Sequence, residues 1–357
     1  MTTDKKNQHY VPKFYLRNFS FENNKGEIGL FNLNNERYIE KAKLKTQASK
    51  NFFYGRDGLV EDQLSNIEGD LATIIRNIIS TKKIPRKETP EFIQLLYFVA
   101  LTDLRNPIRL KQLQTSYYEM SKYFSNTDPN FDFRSFMPSQ SSESLIKLQI
   151  SATPKAVAIM QDLTCKLLIN NTSTPFITSD YPVVKYNQFL EEKKHPQSNT
   201  GYGSVGLQIF VPLNAELALT FYDENIYKIG LKKSSDIILN EKYDIDQINI
   251  LQFINCFSTV FFDHQAKDKY IKYIFDISKR YERANDINFN TGYLFNEDDE
   301  STTLDDKKED NLLIFSSKDC QIKLNISVMR IHSKGKKHQL SDSVVQTRKH
   351  VSKLLDN

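Results

Sequence analysis

The stretch LQIFVPLNAELALTFYD, from Leu207 to Asp223, decides the fold class. Leu207 to Leu213 and Glu216 to Asp223 are two short apolar runs separated by Asn214 and Ala215, so they read as a pair of neighbouring strands. Upstream, CKLLIN from Cys165 and PFIT from Pro175 read as further buried strands, followed by SDYPVVKY. The chain before them has a helical period instead. Val60, Leu64, Ile67, Leu71, Ile74 and Ile78 alternate spacings of four and three, which lays all six on one stripe of a helix. Thr89 before Pro90 and EFIQLLYFVALTDL predicts an N-cap, a proline in the first turn and a helix buried nearly all round. After Pro107 a more polar helix is expected from Ile108 to about Phe124. A loop then runs to about Ser141, and a helix or bent pair from Ser142 to about Gln161.

Both ends of the chain are mixed. Pro12 suits the first turn of a short helix through Phe19, since its missing N–H costs nothing there. Ile28 to Leu33 and Arg37 to Leu44 predict a hairpin. Helices are expected at about Asp246 to Phe262 and Asp268 to Arg283. LLIFSS and QIKLNISVMRIH then predict a C-terminal β-hairpin, followed by a basic tail. The mixed order of helices and strands, with no internal repeat, predicts an α+β fold over a regularly alternating α/β sheet: a helical N-terminal half packed with a mixed or antiparallel sheet. The organisation expected is an α+β domain over residues 1–295, an acidic linker over 296–311, and a hairpin with its tail over 312–357.

The 357 residues include 39% hydrophobic and 26% charged side chains with only 11 Gly and 11 Pro, which excludes a disordered or collagenous chain. Three cysteines far apart, without a CxxC pair, exclude a disulfide framework and a zinc ribbon, and a reducing, cytoplasmic setting is expected. No secretory signal and no membrane segment is read. The formal charge of +4 conceals a segregation. Glu297 to Asp310 holds eight acidic residues and two lysines, so that stretch carries −6 and the rest of the chain +10. A basic body favours an anionic partner.

Three clusters carry candidate chemistry. His9-Tyr10-Val11-Pro12-Lys13 places a titratable imidazole before two cations, Lys13 and Arg17, at helical spacing; an anion would suit them, and so would a simple anchoring role. In FITSDYPVV, Asp180 follows a buried strand beside Ser179, a place for metal binding or base catalysis, or for an Asx turn into Pro182. In DLRNPIR, Arg105 sits at a helix end, either clamping a phosphate or carboxylate or bridging to Glu68 or Asp103. GYGSVG at 201–206 follows a polar loop and precedes a strand, the wrong context for a dinucleotide fingerprint, so it reads as a loop. Glu216-Leu217-Ala218 lacks the lysine of a Glu-x-Lys metal-nuclease motif, and no Walker, HExxH or GxSxG motif occurs.

The opening HYVPKFYLRNF, the LRNP after a buried helix, the ITSDYPVV turn and the later VPL together resemble an uncharacterised bacterial family catalogued as domain of unknown function 4238, over about residues 8 to 285. Members typically carry His-Tyr-Val-Pro, matched by His9 to Pro12; a Ser-Asp-x-Pro turn, matched by Ser179 to Pro182; and an Asn on a late helix, matched by Asn249. Tyr181 stands where the family often has Asn, and the chain has no Trp.

If His9, Arg105 and Asp180 converge, they supply a base, an anion clamp and a carboxylate. That set suits phosphodiester hydrolysis by a nucleic-acid-cleaving effector in a toxin or phage-defence setting, with a divalent metal at Asp180 as a candidate cofactor. Tyr10, Lys13, Arg17, Arg109, Ser179 and Asn249 would line the substrate site. The alternative is a non-enzymatic binding module in which Arg105 and His9 recognise a nucleotide or another anionic ligand.

Overall fold

The computed structural model describes residues 6–21, 24–127, 132, 135, 141–195, 199–283, 287–292, 312–317, 319–341 and 345–355. The strands read from Leu207 to Asp223 form the middle of a five-stranded sheet. Leu217–Tyr222 pairs antiparallel with Gln208–Pro212 on one side and with Thr164–Asn170 on the other. Val184–Tyr186 closes one edge, and Asp236–Leu239, parallel to Thr164–Asn170, closes the other. Because side chains alternate across a strand, the sheet separates two cores. Leu167, Ile209, Val211, Leu219 and Phe221 face the N-terminal helices, whereas Leu168, Phe210, Ala218 and Tyr222 face a second layer. Both faces are covered, so the strands read as nearly continuous apolar runs.

The first layer holds the helices Leu59–Thr81, Pro90–Leu104, Pro107–Thr127, Ser142–Ser151 and Thr153–Met160. The stripe predicted on the first of these is the buried one, with Ile67 at its margin and Ile75 added. Thr89 caps the next helix by accepting from the Phe92 N–H at 3.3 Å. The fold is α+β, with the helical N-terminal half and mixed sheet the pattern predicts.

The second layer contains Lys242–Asn255, Asp268–Ser278 and a smaller sheet, in which Asn24–Asn32 pairs with Ser20–Phe21, Arg37–Lys43 and Thr259–Phe262, and Thr178–Ser179 extends it. The expected hairpin is therefore present as two of its strands. The helix expected from about Asp246 to Phe262 is shorter: it ends at Asn255, and Thr259–Phe262 leaves it as a strand in the middle of this sheet. Gly29 makes that pairing possible, since a Cβ there would lie 2.5 Å from the Phe262 ring.

The C-terminal hairpin is not formed as expected. Leu312–Ser317 pairs with Ile287–Gly292, and Met329–Ile331 pairs with Tyr227–Ile229, so the two segments have different partners. The second pairing lays Ile322, Leu324, Ile326 and Ile331 into the second core. Arg348 fastens the tail, with Nε and Nη2 on the Asp162 carboxylate at 2.8 and 2.9 Å and further bonds to the Ile159, Tyr202 and Ser204 carbonyls. The acidic stretch expected as a linker lies outside the described residues. No described helix is long and apolar enough to cross a membrane.

Candidate functional site

The three motifs are built around one junction. Asn7–His9 forms a short strand against Ser49–Asn51, so His9 lies on a strand just ahead of the helical turn at Lys13–Leu16. Gln8 fixes it by donating to the Gly55 carbonyl at 2.9 Å and accepting from the Tyr54 N–H at 2.6 Å, while the Tyr54 hydroxyl donates to the His9 carbonyl at 3.0 Å. Tyr15 then reaches across the core, bonding Thr178 Oγ1 at 2.7 Å and the Pro212 carbonyl at 2.6 Å, which ties the opening motif to the Ser-Asp turn.

Asp180 is fully engaged by that turn. One oxygen accepts from the Phe257 N–H at 2.6 Å, and the other from the Ser258 N–H, the Ser258 hydroxyl and the Thr259 N–H at 2.9 to 3.1 Å. Burial pushes its pKa up to about 6, against the restraint of those donors. The carboxylate thus caps the connection that starts the Thr259–Phe262 strand, 77 to 79 residues away, and not the local Asx turn into Pro182 that the sequence offered. A cation at the same oxygens would compete with four N–H and O–H donors, and no cluster of three His, Cys, Asp or Glu side chains exists among the described residues.

Ser179 and Asn249 also serve the chain itself. Asn249, Gln252 and Asn255, three residues apart on one face of a buried helix, bond the segment from Pro175 to Val183. Asn249 accepts from the Ile177 N–H at 3.0 Å and donates to the Pro175 carbonyl at 2.9 Å. Gln252 accepts from the Ser179 hydroxyl at 2.8 Å and donates to the Pro182 carbonyl at 3.0 Å. Asn255 donates to the Tyr181 and Val183 carbonyls at 2.8 and 3.2 Å. Five of these six bonds satisfy a buried backbone group that would otherwise cost about 1–3 kcal/mol.

Arg105 ends the Pro90–Leu104 helix at 1% exposure and pairs with Glu68, Nη1 to Oε1, at 2.8 Å. The bridge weighed as its alternative role is therefore real, but it uses one nitrogen of three. Nε and Nη2 make no hydrogen bond of good geometry, although the Tyr54 hydroxyl stands close enough to the guanidinium to interact with it. These two lie on the same side of the guanidinium and make the parallel fork that matches two oxygens of a carboxylate or phosphate. His9 is 7% exposed, and its Nε2 makes no hydrogen bond either. Burial first, then the charges of Lys13 and Arg105, hold the imidazole down to about 4 against the opposing pull of the Lys45 and Asn7 carbonyls, so at neutral pH it is uncharged. Next along the chain, Asn106 donates to the Asp180 carbonyl at 2.8 Å and accepts from the Ile108 N–H at 3.0 Å, which joins the LRNP and SDYP motifs and caps the following helix. Tyr10 is buried close enough to Asp180 for that charge to oppose ionisation of its hydroxyl.

Arg109 turns to a second polar cluster. Asp103 is wholly buried and accepts from Lys185 Nζ at 3.1 Å and from the Tyr181 and Tyr202 hydroxyls, with Arg109 Nη2 at 3.7 Å. Burial opposes ionisation of Asp103, but the charges of Lys185 and Arg109 and the two hydroxyls outweigh it and hold the carboxyl down to about 2. Lys185 and Tyr202 carry no sequence signal pointing here, because nothing in the local pattern joins positions 103, 185 and 202.

The structure therefore brings His9, Lys13 and Arg105 into one electrostatic neighbourhood, links Asp180 to it through Asn106, and leaves Arg17 exposed at the lining of a different concavity. No curated protein and no solved structure matches the chain. The family described as "Protein of unknown function (DUF4238)" matches residues 7–266, a span that contains all three motifs, and the chain belongs to that family.

Proposed function

We propose that this protein binds an anionic ligand, a nucleotide or another phosphate- or carboxylate-bearing molecule, through Arg105 and His9. One observation carries the reading: at 1% and 7% exposure, the Nε–Nη2 fork of Arg105 and the Nε2 of His9 make no hydrogen bond of good geometry, the Tyr54 hydroxyl beside Arg105 notwithstanding. Folded proteins rarely leave buried polar groups unpaired, and a charged one least of all. An oxyanion seated on the fork would satisfy both Arg105 nitrogens at once. Its charge would also offset the two cations that hold His9 neutral, so binding would draw a proton onto the imidazole.

Phosphodiester cleavage draws less support from the same geometry. The acid–base scheme needs Asp180 to orient His9 or to hold a metal, and the Asp180 oxygens are taken by residues 257–259. The experiment is calorimetric titration of wild type and Arg105→Lys with inorganic phosphate and AMP, alongside incubation with labelled RNA and DNA, with and without divalent metal. Binding that falls at least tenfold in a folded Arg105→Lys variant, without cleavage, is the expected result. Binding indifferent to Arg105 would overturn the proposal, and cleavage lost on His9→Ala would restore the hydrolytic reading.

A further inference from the structure

A concavity of about 670 Å³ opens where the Arg17–Phe19 turn, the start of the Asn24–Asn32 strand and the Leu59–Thr81 helix meet. Arg17, Lys25 and Arg76 come from these three separate elements and converge on it, and none of its described lining residues is acidic. All three are exposed, and none of them pairs with a carboxylate among the described residues. Three like charges around one hollow concentrate a positive potential there. Asn18 adds a polar side chain to the lining. The remaining surface is apolar, with Ile75 on the floor and the half-buried Phe14 ring as a wall. That ring is backed by Phe98 at 6.0 Å between centroids.

We infer that this pocket is a binding site for a nucleoside polyphosphate. The three cations receive the phosphates and the base lies against Phe14. The volume falls within the range of about 300–1,000 Å³ usual for small-molecule sites. Arg17 supplies the planar, bidentate kind of donor that phosphate recognition favours. Neither Arg105 nor His9 lines this hollow, so the inference does not depend on the site proposed above.

Calorimetry of the full chain with ATP, tripolyphosphate and adenosine tests it. ATP is expected to bind more tightly than tripolyphosphate, and adenosine more weakly than either, with affinity falling as salt is raised. Lys25→Glu with Arg76→Glu, both exposed positions, is expected to weaken ATP at least tenfold at unchanged melting temperature, whereas reversing a lysine outside both sites, the exposed Lys155→Glu, leaves it intact. Arg76→Ala gives a milder loss and guards against an indirect effect of two reversed charges. The inference is overturned if ATP does not bind, if it binds the Lys25→Glu/Arg76→Glu variant as tightly as wild type, or if these cations act only on a short RNA.

Discussion

Replacing His9 by Asn removes a titration that the fold works against. In the native chain the imidazole is held at about 4, against 6.5 for an ordinary histidine. Between those values the unfolded chain binds a proton that the folded chain does not, so stability rises with pH across the window, by about 1.4 kcal/mol per unit and about 3 kcal/mol in all. That contribution is fully present above pH 6.5 and is lost as pH falls toward 4. Asp180 works in the opposite sense. Its folded value is raised to about 6 from 3.8, so its contribution is present below pH 3.8 and is lost as pH climbs through 6, again by about 3 kcal/mol. From pH 4 to 6 the two slopes oppose each other and largely cancel in wild type. His9→Asn leaves the Asp180 slope uncovered: relative to wild type, the variant should gain about 2–3 kcal/mol on going from pH 6.5 to 4. Asp180→Asn should shift the other way over pH 4 to 6. Urea denaturation followed by circular dichroism at half-unit steps measures both differences. Curves for wild type and His9→Asn that stay parallel within about 0.5 kcal/mol would refute the argument, because they would mean that His9 titrates alike in the folded and unfolded chain.

Three further outcomes follow from single contacts. Asn106→Ala loses a bond to the Asp180 carbonyl and the cap on the Ile108 N–H, and should cost about 2–3 kcal/mol in urea unfolding; a change below about 0.5 kcal/mol would deny it the joining role. Gln252→Leu leaves the Ser179 hydroxyl and the Pro182 carbonyl buried without that partner and should cost about 2–4 kcal/mol, whereas a neutral result would show that the segment does not need the ladder. Arg348→Ala strands Asp162 and should both destabilise by about 3 kcal/mol and expose the tail to limited proteolysis; equal protection of variant and wild type would contradict docking through Arg348.

Where a periodicity was long, the sequence was readable. Six apolar positions from Val60 to Ile78 define a face whatever the partner, and Thr89-Pro90 marks a helix start by local chemistry alone. Between Phe253 and Phe262 that logic fails, because Phe253, Ile254, Val260, Phe261 and Phe262 suit a buried helix or a buried strand equally. What decides is remote: Asp180 gathers three consecutive N–H groups at 257–259 and so stops the helix. The hairpin expected near the C-terminus fails for a related reason, since Met329–Ile331 finds its partner about a hundred residues upstream. At the site, Arg105 was legible as a charged residue at the end of an apolar helix, and Glu68 as one of its partners. That the pair leaves a fork unused depends on geometry that no spacing encodes. The Asn249, Gln252 and Asn255 ladder had a visible signal, amides every three residues on the apolar second half of a helix. Lys25 and Arg76 had none, being brought together only by the packing of the Leu59–Thr81 helix near the start of a strand.

The central claim is that an oxyanion belongs on Arg105 beside His9, and the His9 ring reports it directly. In a titration of the full chain with inorganic phosphate, followed through the His9 imidazole carbon resonance across pH 3.5 to 7.5, phosphate should raise the His9 pKa from about 4 by at least a unit, and Arg105→Lys should abolish the shift. A His9 titration that stays the same with and without phosphate would contradict the account.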